Sequence, residues 1–287
     1  MVDTAPAYGF SEERIGQFFD KHPELAEKAF VATKWGEEFP EAGEPAGRVD
    51  HSVEHLKFSV ARSLQRLGKH GKINVLYIHK TSLEVLQDPA VRQAMLQMKQ
   101  DRYGGIRLLG ASISAEAILE EAIKQGAIDW LDVLQLPAPL FEKRQDLMEQ
   151  IHRKGIAIVL NSPIRLAENQ EPRDVFLRLA VDPKMSVILT GTRTHLQETV
   201  NYFSDPKENT LKKDNGPQIV DNAHLTTSEE VGGINLNPVF LDLQIKRDGR
   251  GIPLPIQQQP FEQMNINGVF SVIVHVGPAN LSFILEL

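Results

Sequence analysis

The sequence contains no cysteine. Its absence excludes disulfide bonds, a thiolate nucleophile, and zinc or iron–sulfur sites that depend on cysteine ligands. No apolar run approaches the roughly 20 residues that a membrane-spanning helix needs, and the first residues contain no apolar signal segment. We therefore expect a cytoplasmic protein that does not contact a membrane.

Positive charge is also scarce, since 31 Lys and Arg residues face 38 Asp and Glu residues and the net charge is −7. Nucleic-acid-binding domains usually present a basic face, so we expect no nucleic-acid partner. The Gly-x-Gly-x-x-Gly fingerprint of Rossmann domains is absent as well. The sequence therefore does not predict a dinucleotide site of the Rossmann type.

A regular alternation of strand and helix patterns covers the first 203 residues. Short apolar runs, typical of strands buried on both faces, alternate with stretches whose apolar residues recur at helical spacing. After a first strand at Val2, the predicted strands are 29–35, 73–79, 106–111, 131–136, 156–160 and 185–189. The predicted helices are 12–19, 53–67, 89–100, 115–125, 142–154, 172–181 and 195–203, with Ser11 and Asp50 as caps of the first two. Repeated βα units predict a parallel sheet covered by helices.

The number of repeats indicates a barrel that lacks one unit. Seven βα units can be counted when Val2 is included, whereas a closed (β/α)8 TIM barrel has eight. The predicted fold is therefore an α/β protein, a TIM barrel without its first βα unit. Open sheet edges expose unpaired backbone groups, so we expect self-association through these edges or the tail unless another segment fills the gap.

Composition changes after residue 203. Residues 204–233 are polar and predict a linker, whereas 234–287 alternate apolar and polar residues and end in an apolar stretch. We interpret 1–203 as the incomplete barrel, 204–233 as the linker, and 234–287 as a β-rich appendage. This tail is expected either to pack on the barrel or to pair with another chain.

Polar side chains mark the ends of several predicted strands. Asp3, Lys34 and His79 each end a strand, and Tyr8 lies in the loop just beyond the first. In (β/α)8 barrels the active site lies at the C-terminal ends of the strands. We therefore expect these four side chains to meet at one mouth of the barrel.

The sequence around these four residues resembles the aldo-keto reductases. The resemblance is carried by Asp3-Thr4-Ala5-x-x-Tyr8-Gly9, Ala32-Thr33-Lys34-Trp35-Gly36 and Leu76-Tyr77-Ile78-His79. It implies reduction of a small aldehyde or ketone to an alcohol, with Tyr8 as the acid, Lys34 and Asp3 activating it, and His79 orienting the carbonyl. Hydride transfer leaves negative charge on the carbonyl oxygen, which must receive a proton. A phenol has a reference pKa of about 10, and a nearby ammonium lowers it.

The same resemblance implies NADP as cofactor, with NAD as the alternative. Ser112 and Gln135 match the residues that hold the nicotinamide amide, although Ile113 replaces an expected Asn and Asn161 replaces a stacking Tyr. Ser162, Pro163 and Ile164 follow the next strand. Gly191, Thr192 and Arg193 resemble the phosphate-binding loop of the family, where a helix N-terminus suits an anion and Arg193 would pair with the 2′-phosphate.

Other interpretations of the sequence stay open. The barrel is a nucleotide-binding or interaction module without turnover if the departures at Ile113 and Asn161 abolish catalysis. It is a lyase if Lys34 forms a Schiff base with a carbonyl substrate. The pattern His51-x-x-Glu54-His55 resembles a zinc peptidase motif but lies at the start of an amphipathic helix, so we expect no metal.

Overall fold

The computed structural model describes residues 1–40, 47–168 and 170–191, together with four strand segments of the tail. The helix predicted for 195–203 and the linker predicted for 204–233 lie outside the described residues. No helix in the described part of the chain is both long and apolar enough to cross a membrane.

Parallel strands follow one another around the sheet in chain order. They are β1 (Val2–Asp3), β2 (Val31–Trp35), β3 (Val75–Ile78), β4 (Leu108–Ser112), β5 (Val133–Pro137), β6 (Ala157–Asn161) and β7 (Val187–Gly191). Each strand pairs in parallel with the next, so that Lys34 lies opposite Tyr77, and Tyr77 opposite Gly110. Seven parallel strands connected by outer helices confirm the predicted incomplete TIM barrel.

Four short strands of the tail are also described: β8 (Val239–Leu241), β9 (Gln258–Pro260), β10 (His275–Val276) and β11 (Leu281–Glu286). β8 and β9 form a separate antiparallel pair. β11 pairs in parallel with β7, from Ser282 opposite Val187 to Glu286 opposite Gly191, and β10 adds to its other side. Because Cα atoms of β11 come within 8 Å of β1, this part of the tail lies between the two ends of the seven-stranded sheet.

Nine α-helices are described between these strands. They are α1 (Ser11–Lys21), α2 (Pro23–Lys28), α3 (Val53–Leu67), α4 (Leu83–Gln87), α5 (Pro89–Gln100), α6 (Glu116–Lys124), α7 (Ala138–Lys143), α8 (Gln145–Arg153) and α9 (Pro172–Ala180). α3 shows why they form: Leu56, Val60 and Leu67 are buried on one face while Phe58 is exposed on the other. Gly68, at φ 73°, ends this helix as predicted.

The structure corrects both predicted helix caps. Ser52, not Asp50, caps α3, because its hydroxyl accepts a hydrogen bond from the backbone N–H of His55. The Asp50 carboxylate instead accepts from the N–H of Ser52. Ser11 is the first helical residue of α1, and its hydroxyl accepts a hydrogen bond from Thr4. In both cases the side chain predicted as a cap accepts a hydrogen bond from a nearby residue, Ser52 for Asp50 and Thr4 for Ser11, instead of from an N–H group of the first helical turn.

Two helices differ in detail from the prediction. The first helix ends before Pro23, but Pro23 also begins the unpredicted short helix α2, because proline lacks only a backbone N–H that the first helical turn leaves unpaired. The single helix predicted for 142–154 is two helices, α7 and α8. They are separated at Arg144, whose φ of −121° is not helical.

Side chains on the strands alternate between two cores. One set faces the barrel interior, including Ala32, Val75, Tyr77, Leu108, Val133, Val159, Val187 and Leu189. Their strand neighbours pack against the helices, including Val31, Leu76, Leu109, Leu134, Ile158 and Ile188. A Cβ at Gly110 would come within 2.5 Å of the Tyr77 ring, so the missing side chain leaves the space that Tyr77 occupies.

The interior-facing set continues to the end of each strand. Because strand side chains alternate with a period of two, the positions that follow Ala32, Tyr77 and Val133 on the interior face are Lys34, His79 and Gln135. The alternation that fills the barrel therefore also determines which polar side chains reach its mouth.

Candidate active site

An ion pair lies beneath the mouth of the barrel. Nζ of Lys34 is 2.6 Å from Oδ2 of Asp3 and donates a second hydrogen bond, of 3.1 Å, to the carbonyl oxygen of Thr4. The side chains of both charged residues are at most 1% exposed. Nε2 of Gln135 donates to the other oxygen of Asp3 at 3.0 Å. Buried charges are stable only when paired and hydrogen-bonded, and this pair meets both conditions.

Tyr8 lies directly above this ion pair. It ends a 3-10 turn, Pro6–Tyr8, that follows β1, and its side chain is partly exposed. The centroid of its ring is 4.7 Å from Nζ of Lys34. The ring also meets that of His79 edge-on, with 5.9 Å between the centroids. The four residues predicted at the strand ends therefore lie together.

His79 is held on three sides. Its backbone N–H donates to Trp35 at 2.8 Å, and Nε2 of His51 is 2.7 Å from its carbonyl oxygen. Nδ1 of its ring lies 3.0 Å from Oε2 of Glu37. Burial, assisted by the positive charges of Lys34 and Lys80 and by His51, lowers the pKa of His79 to about 3. The imidazole is therefore neutral at pH 7.

These side chains open onto a cleft of about 540 Å³, which is a typical size for a small-molecule site. Asp3, Tyr8 and His79 line it, whereas Lys34 is buried beneath them. The rest is lined by Lys80, Ser112, Ser114, Gln135, Pro137, Asn161, Ser162, Pro163, Ile164, Arg165 and Leu189. Five of the predicted cofactor residues, Ser112, Gln135, Ser162, Pro163 and Ile164, thus line the same cleft. Gly191 is the last residue of β7, and Thr192 and Arg193 lie outside the described residues.

The polar groups next to the ion pair fit a carboxamide. Ser112 donates its hydroxyl hydrogen to Oε1 of Gln135 at 3.2 Å, so among the described residues its oxygen lone pairs can still accept a hydrogen bond. Gln135 uses one of its two amide hydrogens on Asp3, so one donor is left. An acceptor and a donor side by side suit the amide of a nicotinamide ring. In contrast, Ile113 is buried among the apolar residues that face the helices and offers no polar group.

Two residues of the cleft have unusual backbone conformations. Lys80 and Ser162 have φ values of 50° and 56°, in the left-handed region that non-glycine residues rarely adopt. Such a conformation costs on the order of 1–3 kcal/mol and persists only where the surroundings impose it, most often at functional sites. The sequence contained no signal for either residue, because lysine and serine do not favour this region.

Sequence reasoning missed Glu37, which lies beside the four residues predicted for catalysis. It is part of the loop that follows β2, yet its side chain is only 16% exposed. An isolated antiparallel bridge between Glu37 and Val49 closes the base of this loop against the barrel. The available signal was its place two residues beyond the strand that ends at Trp35, on the rim that also bears His79.

The zinc-like motif is not arranged as a metal site. Within the described ranges, no group of three or more His, Asp or Glu side chains is placed to hold a metal ion. His51 packs edge-on against Trp35 and contacts the backbone of His79, while His55 lies near Glu38.

Comparison with known proteins agrees with this geometry. Residues 1–176, more than half of the chain, match the profile of the Aldo/keto reductase family. The chain belongs to this family. The matched range of this aldo-keto reductase contains the four residues predicted for catalysis and five of the eight predicted for cofactor binding. No curated protein sequence matches the chain significantly.

A solved structure with a similar fold supports the family assignment. A crystal structure from Pseudomonas aeruginosa, described as that of an aldo-keto reductase, superimposes on this protein with a TM-score of 0.53 at 25% sequence identity. The match covers 66% of this chain and 70% of that one. The aldose reductase of Schistosoma japonicum gives a TM-score of 0.43 at 16% sequence identity, over 65% of this chain and 68% of that one. An aldo/keto reductase of Klebsiella pneumoniae in complex with NADP and acetate gives a TM-score of 0.40 at 19% sequence identity, over 61% of this chain and 56% of that one. Because the last two scores are below 0.5, they carry no further argument about this chain.

Proposed function

We propose that this aldo-keto reductase uses NADPH to reduce an aldehyde or ketone to an alcohol, with Tyr8 as the proton donor. One observation carries the proposal: the Lys34 ammonium lies between the Asp3 carboxylate, at 2.6 Å, and the Tyr8 ring, whose centroid is 4.7 Å away. Asp3 keeps Lys34 charged, and that charge favours the phenolate that remains when Tyr8 releases its proton.

In the proposed reaction NADPH supplies the hydride that is added to the carbonyl carbon. The proton of the Tyr8 hydroxyl goes to the carbonyl oxygen, so the products are an alcohol and NADP⁺. Positive charge from Lys34 stabilises the negative charge that passes from the substrate oxygen to Tyr8. The interior position of Lys34, out of contact with solvent, strengthens this effect because water screens it little.

Cofactor binding is proposed for the part of the cleft that begins next to the ion pair. Ser112 and Gln135 would hold the nicotinamide amide, and Ser162, Pro163 and Ile164 line the path away from the ring. The preference for NADP over NAD depends on Arg193 and stays a prediction.

The geometry favours the reductase over the Schiff-base lyase. A lysine must be neutral and accessible to act as a nucleophile, but Nζ of Lys34 is 2.6 Å from the Asp3 carboxylate, which stabilises the ammonium, and its side chain is fully buried. The binding module is favoured by one observation, the apolar Ile113 in place of a polar residue next to Ser112. It predicts that NADPH binds and is not oxidised.

Tyr8 can be tested against a matched tyrosine. Tyr8→Phe removes the proton donor, and Tyr103→Phe changes a tyrosine of similar exposure, 45% against 41%, that does not line the cleft. With a reactive aromatic aldehyde, we expect Tyr8→Phe to reduce kcat/KM by about 10³-fold or more. Tyr103→Phe should leave kcat/KM unchanged, and both variants should bind NADPH as the wild type does.

The other functions predict different results in the same assays. NADPH binding without aldehyde-dependent oxidation in the wild type would favour the binding module. Covalent trapping of a carbonyl substrate on Lys34 by borohydride would favour the lyase. Full turnover in Tyr8→Phe would contradict the proposed role of Tyr8.

A further inference from the structure

The strands β1–β7 leave one gap in the wall of the barrel. In an eight-stranded barrel every strand has two neighbours, so no edge is left. With seven strands, β7 and β1 each keep one side whose backbone N–H and C=O groups find no partner on the other six strands. β11 (Leu281–Glu286) lies in this gap, paired with β7 and next to β1.

β11 is the more extensive of the two neighbours of β7. Five residues of β11, from Ser282 to Glu286, lie opposite residues of β7. On its other side, β7 pairs with β6 at only two positions, Val187 and Ile188. The position of β7 in the wall is therefore set more by the tail than by the strand that precedes it in the sheet.

The direction of β11 is also that of a barrel strand. It runs parallel to β7, as the strands of the wall do to one another, whereas β10 joins β11 as an antiparallel neighbour. A tight turn joins only antiparallel strands, and a parallel pair needs a long crossover connection. The segment of about ninety residues between β7 and β11 supplies that connection. β11 therefore has both the place and the direction of an eighth strand.

Both sides of the gap carry residues of the candidate site. β1 consists of Val2 and Asp3 alone, and Asp3 is the partner of Lys34 in the buried ion pair. On the other side, β7 ends at Gly191, which lies opposite Glu286 of β11. Because β11 lies next to β1 and pairs with β7, it fixes the distance between the strand of the ion-pair carboxylate and the strand of a predicted cofactor residue.

We propose that β11 is the eighth strand of the barrel, supplied by the same chain, and that it positions β1 and β7, so that the tail is a working part of the site. A tether keeps the local concentration of β11 far above that of a second chain in micromolar solution. The entropic cost of a long connection rises only with the logarithm of its length. The gap should therefore be filled within one molecule. The kinetic part of this inference rests on the proposed function, whereas the structural part does not.

The absence of cysteine allows a direct test in the full chain. Ser282 lies opposite Val187, and neighbouring strands are about 4.8 Å apart, a distance that a disulfide can bridge. Ser282→Cys combined with Val187→Cys should therefore give a disulfide on mild oxidation with diamide. Ser282→Cys combined with Leu189→Cys is the matched control, because these positions are two residues out of register and too far apart. The control should form much less disulfide.

Electrophoresis without a reducing agent, with mass spectrometry of the linked peptides, distinguishes the outcomes. A disulfide within the monomer would support the proposal. A disulfide between two chains would show that the tail fills the gap of a second copy. Absence of an in-register disulfide would show that β11 does not lie beside β7. Either of the last two results would overturn the proposal.

Proline substitutions test the role of β11 in the site. Consecutive N–H groups of a strand point to opposite sides, so Phe283→Pro combined with Ile284→Pro removes one that faces β7. The matched control, Phe240→Pro combined with Leu241→Pro, disrupts β8, which pairs with β9 in a separate sheet. NADPH oxidation should be lost in the β11 variant and kept in the β8 variant. Size-exclusion chromatography should show self-association of the β11 variant alone, because its sheet edges are exposed.

The remaining outcomes separate this inference from the proposed function. Full turnover by a monomeric β11 variant would overturn the role of β11, and so would an equal loss in both proline variants. If the wild type oxidises no NADPH, the proposed function fails, whereas the disulfide and the chromatography still decide the place of β11.

Discussion

Two consecutive residues of β2 hold buried carboxylates on opposite sides of the barrel wall. On the inside, Lys34 pairs with Asp3 at 2.6 Å. On the outside, the hydroxyl of Thr33 donates to Glu12 at 2.7 Å, and Nη1 of Arg66 is 3.4 Å from the other oxygen of Glu12. The side chains of both carboxylates are at most 1% exposed.

The difference between the two sites is access. The inner carboxylate lines the cleft, whereas α1 and α3 cover the outer one, which belongs to the packing of helices on the sheet. Burial raises the pKa of Glu12, against hydrogen bonds from Thr33 and Ser63 and the charge of Arg66, which lower it. A perturbed buried acid therefore does not by itself indicate an active site. Contact with a cleft distinguishes the carboxylate that we propose for catalysis from the one that belongs to helix packing.

Lys34→Met should have the largest effect, because it acts on both stability and catalysis. It leaves the Asp3 carboxylate buried without its counter-charge, which we expect to cost about 3–5 kcal/mol of unfolding free energy. Turnover should fall at least about 10³-fold with loss of the activating charge. Urea unfolding and NADPH oxidation measure the two effects. The double variant Asp3→Asn, Lys34→Met should regain most of the stability and none of the activity; an equally unstable double variant would contradict the ion-pair explanation.

Glu12→Ala tests the outer site in the same way. It removes the acceptor of Thr33 and a partner of Arg66, so we expect a loss of about 2–3 kcal/mol in unfolding free energy. Because no cleft residue changes, kcat/KM should stay within about twofold of the wild type. A loss of turnover like that of Lys34→Met, in protein that remains folded, would show that the outer carboxylate also serves catalysis.

The pH dependence of stability should separate His79 from Glu12. The pKa of His79 is about 3 in the folded protein, whereas the ordinary value for histidine is 6.5. Between these two pH values the unfolded chain therefore binds a proton on His79 that the folded protein does not bind. Stability should fall by about 1.4 kcal/mol per pH unit from 6.5 toward 3. Glu12 should have the opposite effect on stability. Because its pKa is raised in the folded protein, its contribution to the free energy of unfolding is lost as the pH rises through that raised pKa. In His79→Gln the decline below pH 6.5 should become shallower; an unchanged slope would assign it to other groups.

Thr33→Val should have the smallest effect. The substitution keeps the shape of the side chain and removes the hydrogen bond to Glu12, which is expected to cost about 1 kcal/mol. Thr33→Ser keeps the hydroxyl and serves as the control for that bond. Neither variant should alter kcat/KM, although the mutated position is adjacent to Lys34 in the chain.

Features marked by local pattern could be predicted from the sequence. The apolar runs that end at Lys34 and His79 identified two strand ends, and the geometry of parallel barrels then placed these residues with Asp3 and Tyr8. The fold class and the family followed from the same segments. The catalytic roles of Asp3, Tyr8, Lys34 and His79, and the roles of the cofactor residues, stay predictions.

Features that depend on distant contacts could not be predicted. Glu37 reaches His79 only because Val49 closes the loop base, and no short pattern encodes that bridge. The choice of Ser52 over Asp50 as a cap depends on which of two suitable side chains takes a given N–H. The parallel pairing of β11 with β7 joins segments about ninety residues apart, whereas alternation of apolar residues predicts a strand without naming its partner.

The shared alternation of core and site residues limits how this barrel can diverge. Inserting one residue into β2 ahead of Ala32 would turn Lys34 outward to the helices and bring an outward-facing apolar side chain to the mouth. Such a change would disrupt the core and the cleft together, so the residues of the one cannot change face without those of the other. New specificities in such proteins should therefore arise from the segments between strands, where the chain can lengthen without rotating the strand side chains that line the cleft.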